Sequence, residues 1–547
     1  MQRTAFLALL LTSSPPLSTT AFPPLLRPPA SSDGRRRSVA SLLPRVVAMT
    51  ASSSSSSSSS SRPASARPAS ASATATGAAI VVDEPYGAWE SPITSRAITA
   101  GSVRLGPVYY ADGDVYWLEG RPLEGGRNVL CRLLATGGGG AVGEASAAVD
   151  STPPGSNVRT RVHEYGGGAV VLGSNPGEVY YSEFADQRLC RVDGATSPTS
   201  TPITPDGGGE GRYRFADGVV SKDGKTMYCV REDHDNPDPK FVVNEVASID
   251  LADGSMAVIA TGNDFYSSPR LSPDGKKLAY VTWDHPNMPW DATELRVASL
   301  VADPHSAASD GHDLVAGGDG DTSVIQPAWH PMTGELFYIS DASGYYNIYR
   351  EAVDVPVLPM PYDFGGSAPG WSLGQQGYAF LDDGRLVAQY VKDGVSVLVV
   401  AYLVVGEKVE VREHSSGGEK GGDGLPAMFG GIVPGKGGEL YFLGGGPGVP
   451  SCVYRWDLDD PTSPAQIIAK SSNVTFPDDV ISVPRQVEFP TTLGTAYGYY
   501  YPPKNGGYVC TTDAAPPLLV KAHGEFCTRL LLRKRARVFR RIIICQY

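Results

Sequence analysis

Between residues 111 and 444 one short phrase of sequence is written seven times: a turn carrying glycine, then a strand rich in aromatic and aliphatic residues. The copies are ADGDVYWLEG (111–120), NPGEVYYSEF (175–184), KDGKTMYCVRED (222–233), PDGKKLAYVTWD (273–284), MTGELFYISD (332–341), DDGRLVAQYV (382–391) and GKGGELYFLG (435–444). Their turn glycines, Gly113, Gly177, Gly224, Gly275, Gly334, Gly384 and Gly438, follow one another at 64, 47, 51, 59, 50 and 54 residues. Asp-Gly or Pro-x-Gly supplies the positive φ of a tight hairpin turn. The alternation after it, Leu278, Tyr280 and Thr282 against Lys277, Ala279 and Val281, has the two-residue period of a strand. A third strand follows each hairpin: NVLCRLL, QRLCRVD, NEVASID, TELRVASL, YNIYREA, VSVLVVAYL and SCVYRWDL. One such sheet cannot bury its own faces, so the copies must stack on each other. A repeat of about 50 residues with three or four strands does this radially. The expected fold is all-β, a seven-bladed β-propeller over roughly residues 100–475. A set of unrelated sandwiches would not keep this order of turn, aromatic strand and third strand.

Composition agrees and removes some functions. The 547 residues include 63 Gly, 45 Pro and 27 Tyr, with only 19% charged, which suits tight turns between strands. Net charge is −12, and residues 525–547 hold six Arg and one Lys against one Glu. The remainder therefore carries 39 basic and 57 acidic residues, a net −18. Such an acidic body argues against nucleic acid as the main partner. The seven Cys, at 131, 190, 229, 452, 510, 527 and 545, show neither CxxC nor Cys/His ligand spacing. Unpaired, mostly buried thiols are expected, with no disulfide framework, no metal site and no cofactor.

The N-terminus reads as an address. The apolar run Ala5–Leu11 behind one Arg is too short to span a bilayer and suits a signal-peptide core. Residues 27–76 are rich in Arg and Ser, include ten consecutive serines at Ser52–Ser61, and hold a single acid, Asp33. That composition cannot bury enough apolar surface to fold. A signal core followed by an acid-poor stretch with Phe22 at the junction resembles the bipartite presequence of algae with complex plastids. Plastid targeting is the expectation; initiation at Met49 would instead leave the product in the cytoplasm. No membrane span is expected after it.

Several longer stretches resemble one family. SPRLSPDGKKLAYVTWDHPNMPWDATELRVASL (268–300), TRVHEYGGG (160–168), MYCVREDH (227–234) and QPAWHPMTGELFYISDASGYYNIYR (326–350) are similar to blades of the prolyl oligopeptidase family, on its dipeptidyl-aminopeptidase and acylaminoacyl-peptidase side. RQVEFPTTLGTAYGYYYPP (485–503) and APPLLVKAHG (515–524) resemble the first strands of that family's α/β-hydrolase domain. His523 and Gly524 then fall at the remnant of its oxyanion loop, where HGEF replaces His-Gly-Gly-Pro. Four regions are expected: a presequence at 1–76, the propeller with its lead-in at 77–484, opening hydrolase strands at 485–524, and an aberrant basic tail at 525–547.

The resemblance implies a serine-type peptidase of short peptides. In the family the nucleophile lies on a Gly-x-Ser-x-Gly elbow beyond these strands, followed by Asp and His. No elbow and no catalytic residue are expected in this chain, which should be inactive as it stands. The alternative is a stand-alone propeller that binds peptides or proteins without catalysis. Charged propeller residues in relatives help hold a peptide's terminus. Here Glu164, Arg231, Glu232 and Asp233 occupy matching motifs at strand ends, with a plain salt-bridged blade edge as the competing reading. Asp284, His285 and Asp291 read as blade structure rather than a metal site.

Overall fold

The computed structural model describes residues 81–522, apart from 134–147, 195–196, 207–210, 301–306, 366–369, 404–408, 417–423, 493 and 514, together with the backbone of 541–546. The presequence at 1–76 and the pair His523 and Gly524 lie outside the described residues. Seven antiparallel sheets follow one another in chain order. The first blade consists of Arg104–Ala111, Asp114–Arg121, Arg127–Leu133 and Val149–Asp150. The next six occupy 170–202, 213–260, 265–317, 324–350, 378–415 and 428–470. The fifth has three strands and the others four. All seven third strands sit where their sequences place them.

Both faces of each blade are apolar, and the two-residue strand period explains why. In the first blade Tyr116, Leu118 and Leu130 pack with Val170, Val179, Tyr181 and Cys190 of the second blade. The alternate residues Val115, Trp117, Val129 and Cys131 pack with Tyr441 and Val453 of the seventh. The same pattern repeats around the ring, giving one buried apolar cluster for each of the seven blade interfaces. Blade-to-blade burial is therefore the main source of stability. The ring closes by packing of blade one on blade seven, aided by a 2.8 Å bond from the Val103 amide to the Ser471 carbonyl and stacking of Tyr110 on Tyr441. The free Cys131, Cys190, Cys229 and Cys452 are all buried within blades.

Six of the seven turn glycines adopt positive φ as expected, from 70° at Gly224 to 92° at Gly113. The seventh needs correction: Gly437, at 66°, makes the turn, and Gly438 does not have positive φ. Either glycine of the Lys-Gly-Gly pair could turn the chain. Asp459 crowds Gly438 so closely that a Cβ would collide there.

The first strands of the blades form the inner ring. Five of them carry a register shift against the second strand. At four of these bulges one residue has positive φ: Asp217 (53°), Ser268 (55°), Gln326 (53°) and Gly431 (66°). A bulge frees backbone groups and re-aims a side chain. Here these groups tie blades together: the Asp217 amide donates to Gly168 O (2.8 Å), and the Ser268 amide donates to Asp217 Oδ2 (3.0 Å). Gln326 Oε1 accepts from the Gly377 amide at 2.6 Å.

Beyond the seventh blade, Arg485–Thr491 and Gly494–Tyr501 form a hairpin. Arg541–Gln546 pairs in parallel with the second of these strands and antiparallel with Leu518–Ala522. The basic tail thus supplies a strand to the same sheet. Its RIIICQ run has the β-branched content that seeks such a partner. The lead-in also differs from its assignment to the propeller. Val82–Asp83 pairs in parallel with Tyr508–Val509, Trp89 stacks on Tyr508, and Asn505 Nδ2 donates to Glu90 O at 2.8 Å.

Candidate functional site at the hydrolase-facing end of the propeller

An antiparallel blade presents its first turn at one end and its second loop at the other. The seven glycine turns lie at one end. The connections between blades share the opposite end with the second loops, and the hydrolase strands pack there. Tyr499 lies against Gly394 in the second loop of the sixth blade, so closely that a Cβ on Gly394 would clash with its ring.

The HEYGGG segment, 163–168, enters the second blade at this end. His163 and Glu164 hold φ of 54° and 61°, and Gly166, Gly167 and Gly168 hold 72°, 99° and 61°. Positive φ at five of the six positions 163–168, all but Tyr165, is costly at the two that carry side chains, so bonds must hold them. The Gly166 amide donates to Val162 O (2.9 Å), and Gly166 O accepts from the Leu373 amide (3.0 Å). Gly167 bridges Leu373 in parallel, and a Cβ on Gly167 would collide with the Leu373 carbonyl oxygen. Leu373 lies just before the inner strand of the sixth blade, Tyr378–Phe380. The two segments therefore form a chord across the ring from blade two to blade six.

Beside the chord lies a charged cluster. Glu232 is 4% exposed. It accepts from the His163 amide (2.7 Å), bonds His234 Nε2 (2.9 Å), and stands 3.7 Å from Arg214 Nη1. Arg214 faces Glu232 across the ladder. Its Nη1 donates to Glu164 Oε1 (2.6 Å) and to the Arg161 carbonyl. The Glu164 side chain is 73% exposed. Two carboxylates thus face one guanidinium, and Glu164 carries its negative charge into solvent. The His163 ring sits edge-on to Phe265 and Trp283. Burial holds its pKa below the ordinary value, against the charge of Glu232 and the backbone of Trp371.

Of the four propeller residues expected at a terminus-binding site, the structure brings together Glu164 and Glu232. Arg231 and Asp233 do not join them. They point to the other face of the strand, because side chains alternate. Arg231 is buried in an ion pair with Glu245 and lies over the Tyr213 ring. Asp233 takes a fork of two bonds from Arg212, 2.9 and 3.1 Å. Arg214 was missed: nothing in YRF marks it, and only strand register sets it opposite Glu232. Asp284 and Asp291 brace turns, accepting from Asp264 N and Met288 N. Among the described residues no cluster of His, Cys, Asp and Glu has a metal-holding arrangement.

The expectation that the chain lacks Gly-x-Ser-x-Gly also needs correcting. Gly370-Trp371-Ser372-Leu373-Gly374 spells it. It lies in the chord, however, between propeller strands and not on a strand-to-helix elbow. Among the described residues no hydrogen bond joins the Ser372 hydroxyl to an imidazole that could activate it.

No family model matches the sequence, and no curated protein matches it. Solved structures do. A puromycin-hydrolysing peptidase of Mycobacterium tuberculosis shares 29% identity at a TM-score of 0.68, and a puromycin hydrolase shares 26% at 0.66. Each match covers 80% of this chain and 64% of the other, so the chain spans less than two thirds of those proteins. Prolyl oligopeptidase B of Galerina marginata aligns at 13% identity and a TM-score of 0.49. With seven blades in the expected order and hydrolase strands at one end, this chain carries the β-propeller of the prolyl oligopeptidase family.

Proposed function

We propose that the chain is the substrate-receiving part of a serine-type peptidase, and that it binds the free amino terminus of short peptides at Glu164 and Glu232. The observation that carries this reading is the excess of carboxylate over guanidinium beside the chord, at the end where the hydrolase strands dock. An ammonium group beside an exposed carboxylate, backed by a second buried one, gains charge-assisted hydrogen bonds. Arg214 and the His163 amide hold the two acids so that little ordering remains at binding. Peptide hydrolysis through an acyl-serine needs a hydroxyl, an imidazole to take its proton, and an acid to orient the imidazole. Among the described residues the Ser372 hydroxyl has no histidine hydrogen-bonded to it, and on this reading the chain binds peptides without cleaving them.

Calorimetry with Ala-Ala-amide and its N-acetyl form tests the reading. The free amine should bind at least about tenfold tighter, and Glu164→Gln should remove most of that difference. Equal binding of both forms sinks it. A fluorophosphonate probe should label no serine, Ser372 included. A second reading, a stand-alone binding scaffold, draws on the pairing of Arg541–Gln546 with Gly494–Tyr501 and Leu518–Ala522, which occupies the sheet edge.

A further inference from the structure

After the seventh blade the chain runs along a strap, 471–484, that joins the last strand of that blade, Gln466–Lys470, to the first hydrolase strand, Arg485–Thr491. Its start is pinned at the seam of the ring. The Ser471 amide donates to Ser451 O, and Ser471 O accepts from the Val103 amide, both at 2.8 Å. From Ser472 to Pro477 the backbone is irregular, and none of residues 471–484 is buried. The strap holds Asn473-Val474-Thr475, the one Asn-x-Ser/Thr triplet in the 547 residues.

Asn473 differs from other asparagines of the chain in having no structural task. Asn128 Nδ2 donates to Val158 O (3.2 Å), and Asn263 Nδ2 donates to Asp284 Oδ2 (2.8 Å). Asn347 Oδ1 accepts from the Met360 amide (3.1 Å). Asn473 and Thr475 are both exposed, and neither the carboxamide nor the hydroxyl makes a hydrogen bond with another described residue. An exposed asparagine in such a triplet, on irregular backbone, is an acceptor for N-linked glycan in a secretory lumen. The N-terminus supplies the route, since one Arg followed by the apolar run Ala5–Leu11 suits a signal-peptide core. The blade thiols tolerate that oxidising compartment. Cys131, Cys190, Cys229 and Cys452 are buried, and burial raises the pKa of each, so little reactive thiolate forms.

We propose that Asn473 is an N-glycosylation site, modified as the chain enters the secretory lumen. In the transfer, Nδ2 forms a bond to the anomeric carbon of an oligosaccharide carried on a polyisoprenyl pyrophosphate. The bond from that carbon to the pyrophosphate oxygen breaks, the lipid pyrophosphate leaves with the electron pair, and Nδ2 gives up one proton. The glycan then stands on the strap between propeller and hydrolase strands, where it displaces no buried contact. The proposal is independent of the role given to Glu164 and Glu232.

The test is translation of the full chain in the presence of microsomes. The product protected from added protease should migrate as one slower band, and endoglycosidase H should return it to the unmodified position. Asn473→Gln and Thr475→Ala should each abolish the slower band and keep the protection, while Thr475→Ser should retain both. The glycan is added as the chain is made, so the result does not depend on whether a variant folds. A protected product without the slower band overturns the site, and so does a slower band that persists in Asn473→Gln. A product open to added protease lies outside the lumen, as initiation at Met49 would leave it, and overturns the proposal as well.

Discussion

Gly167 and Gly275 are both glycines of positive φ, yet they answer to different constraints. At Gly275 the turn needs φ of 74°, and a Cβ would meet nothing within 4 Å. At Gly167 φ is 99°, and the Leu373 backbone fills the space a Cβ would need. Gly275→Ala should therefore cost about 1 kcal/mol, and Gly167→Ala about 3 kcal/mol or more, because chord and strain add. Urea unfolding of the two variants checks the order; equal losses would mean the chord adds nothing to stability. Gly275 was legible from Asp-Gly before an alternating strand. The need for Gly167 was not, since its neighbour lies more than 200 residues away in sequence.

Elements show the same division. Each second strand could be read from its period. That period also implies that Arg231, Glu232 and Asp233 cannot all face one site, and register decided which one does. The loop after the fifth blade's second strand offers a test by pH. Asp341 Oδ1 accepts from Ser323 N at 2.8 Å. Burial raises its carboxyl from 3.8 to about 6, and the charges of Asp321 and Asp319 add to this. A raised acid stabilises the fold fully below its unfolded value, and that contribution is lost as pH rises through about 6. Asp341→Asn keeps the acceptor and removes the charge. Its melting temperature relative to the parent should therefore rise between pH 4.5 and pH 7.5, by roughly 1–3 °C. A difference that stays flat with pH rules out a buried charge there.

At the scale of the molecule, stability lies in seven interfaces that must all be present. The seam between the first and last blades is the one without a covalent link between neighbours. Tyr441, 4% exposed, packs there against residues of the first blade. Tyr441→Ala should cost about 3–4 kcal/mol and lower the melting temperature of the whole ring in one transition, as followed by calorimetry. A separate transition for the seventh blade would show that the ring unfolds in parts. All seven interfaces lie within 104–470, so deleting 485–547 should leave the propeller's melting temperature within about 2 °C. A larger fall would make the Tyr499 contact at Gly394 part of the propeller's own support.

By itself the sequence determined the blades, their number, order and second and third strands, because hairpin turns and the two-residue period are local properties. It also marked HEYGGG and the Glu-Asp strand end as unusual. Only the tertiary structure decided that Glu164, Arg214 and Glu232 meet, that Tyr165 and Trp371 share a chord, that the Gly-Trp-Ser-Leu-Gly run belongs to the propeller, and that the tail adds a strand. Those pairings join residues tens to hundreds of positions apart. Closing a ring brings such residues together, and no local propensity encodes that.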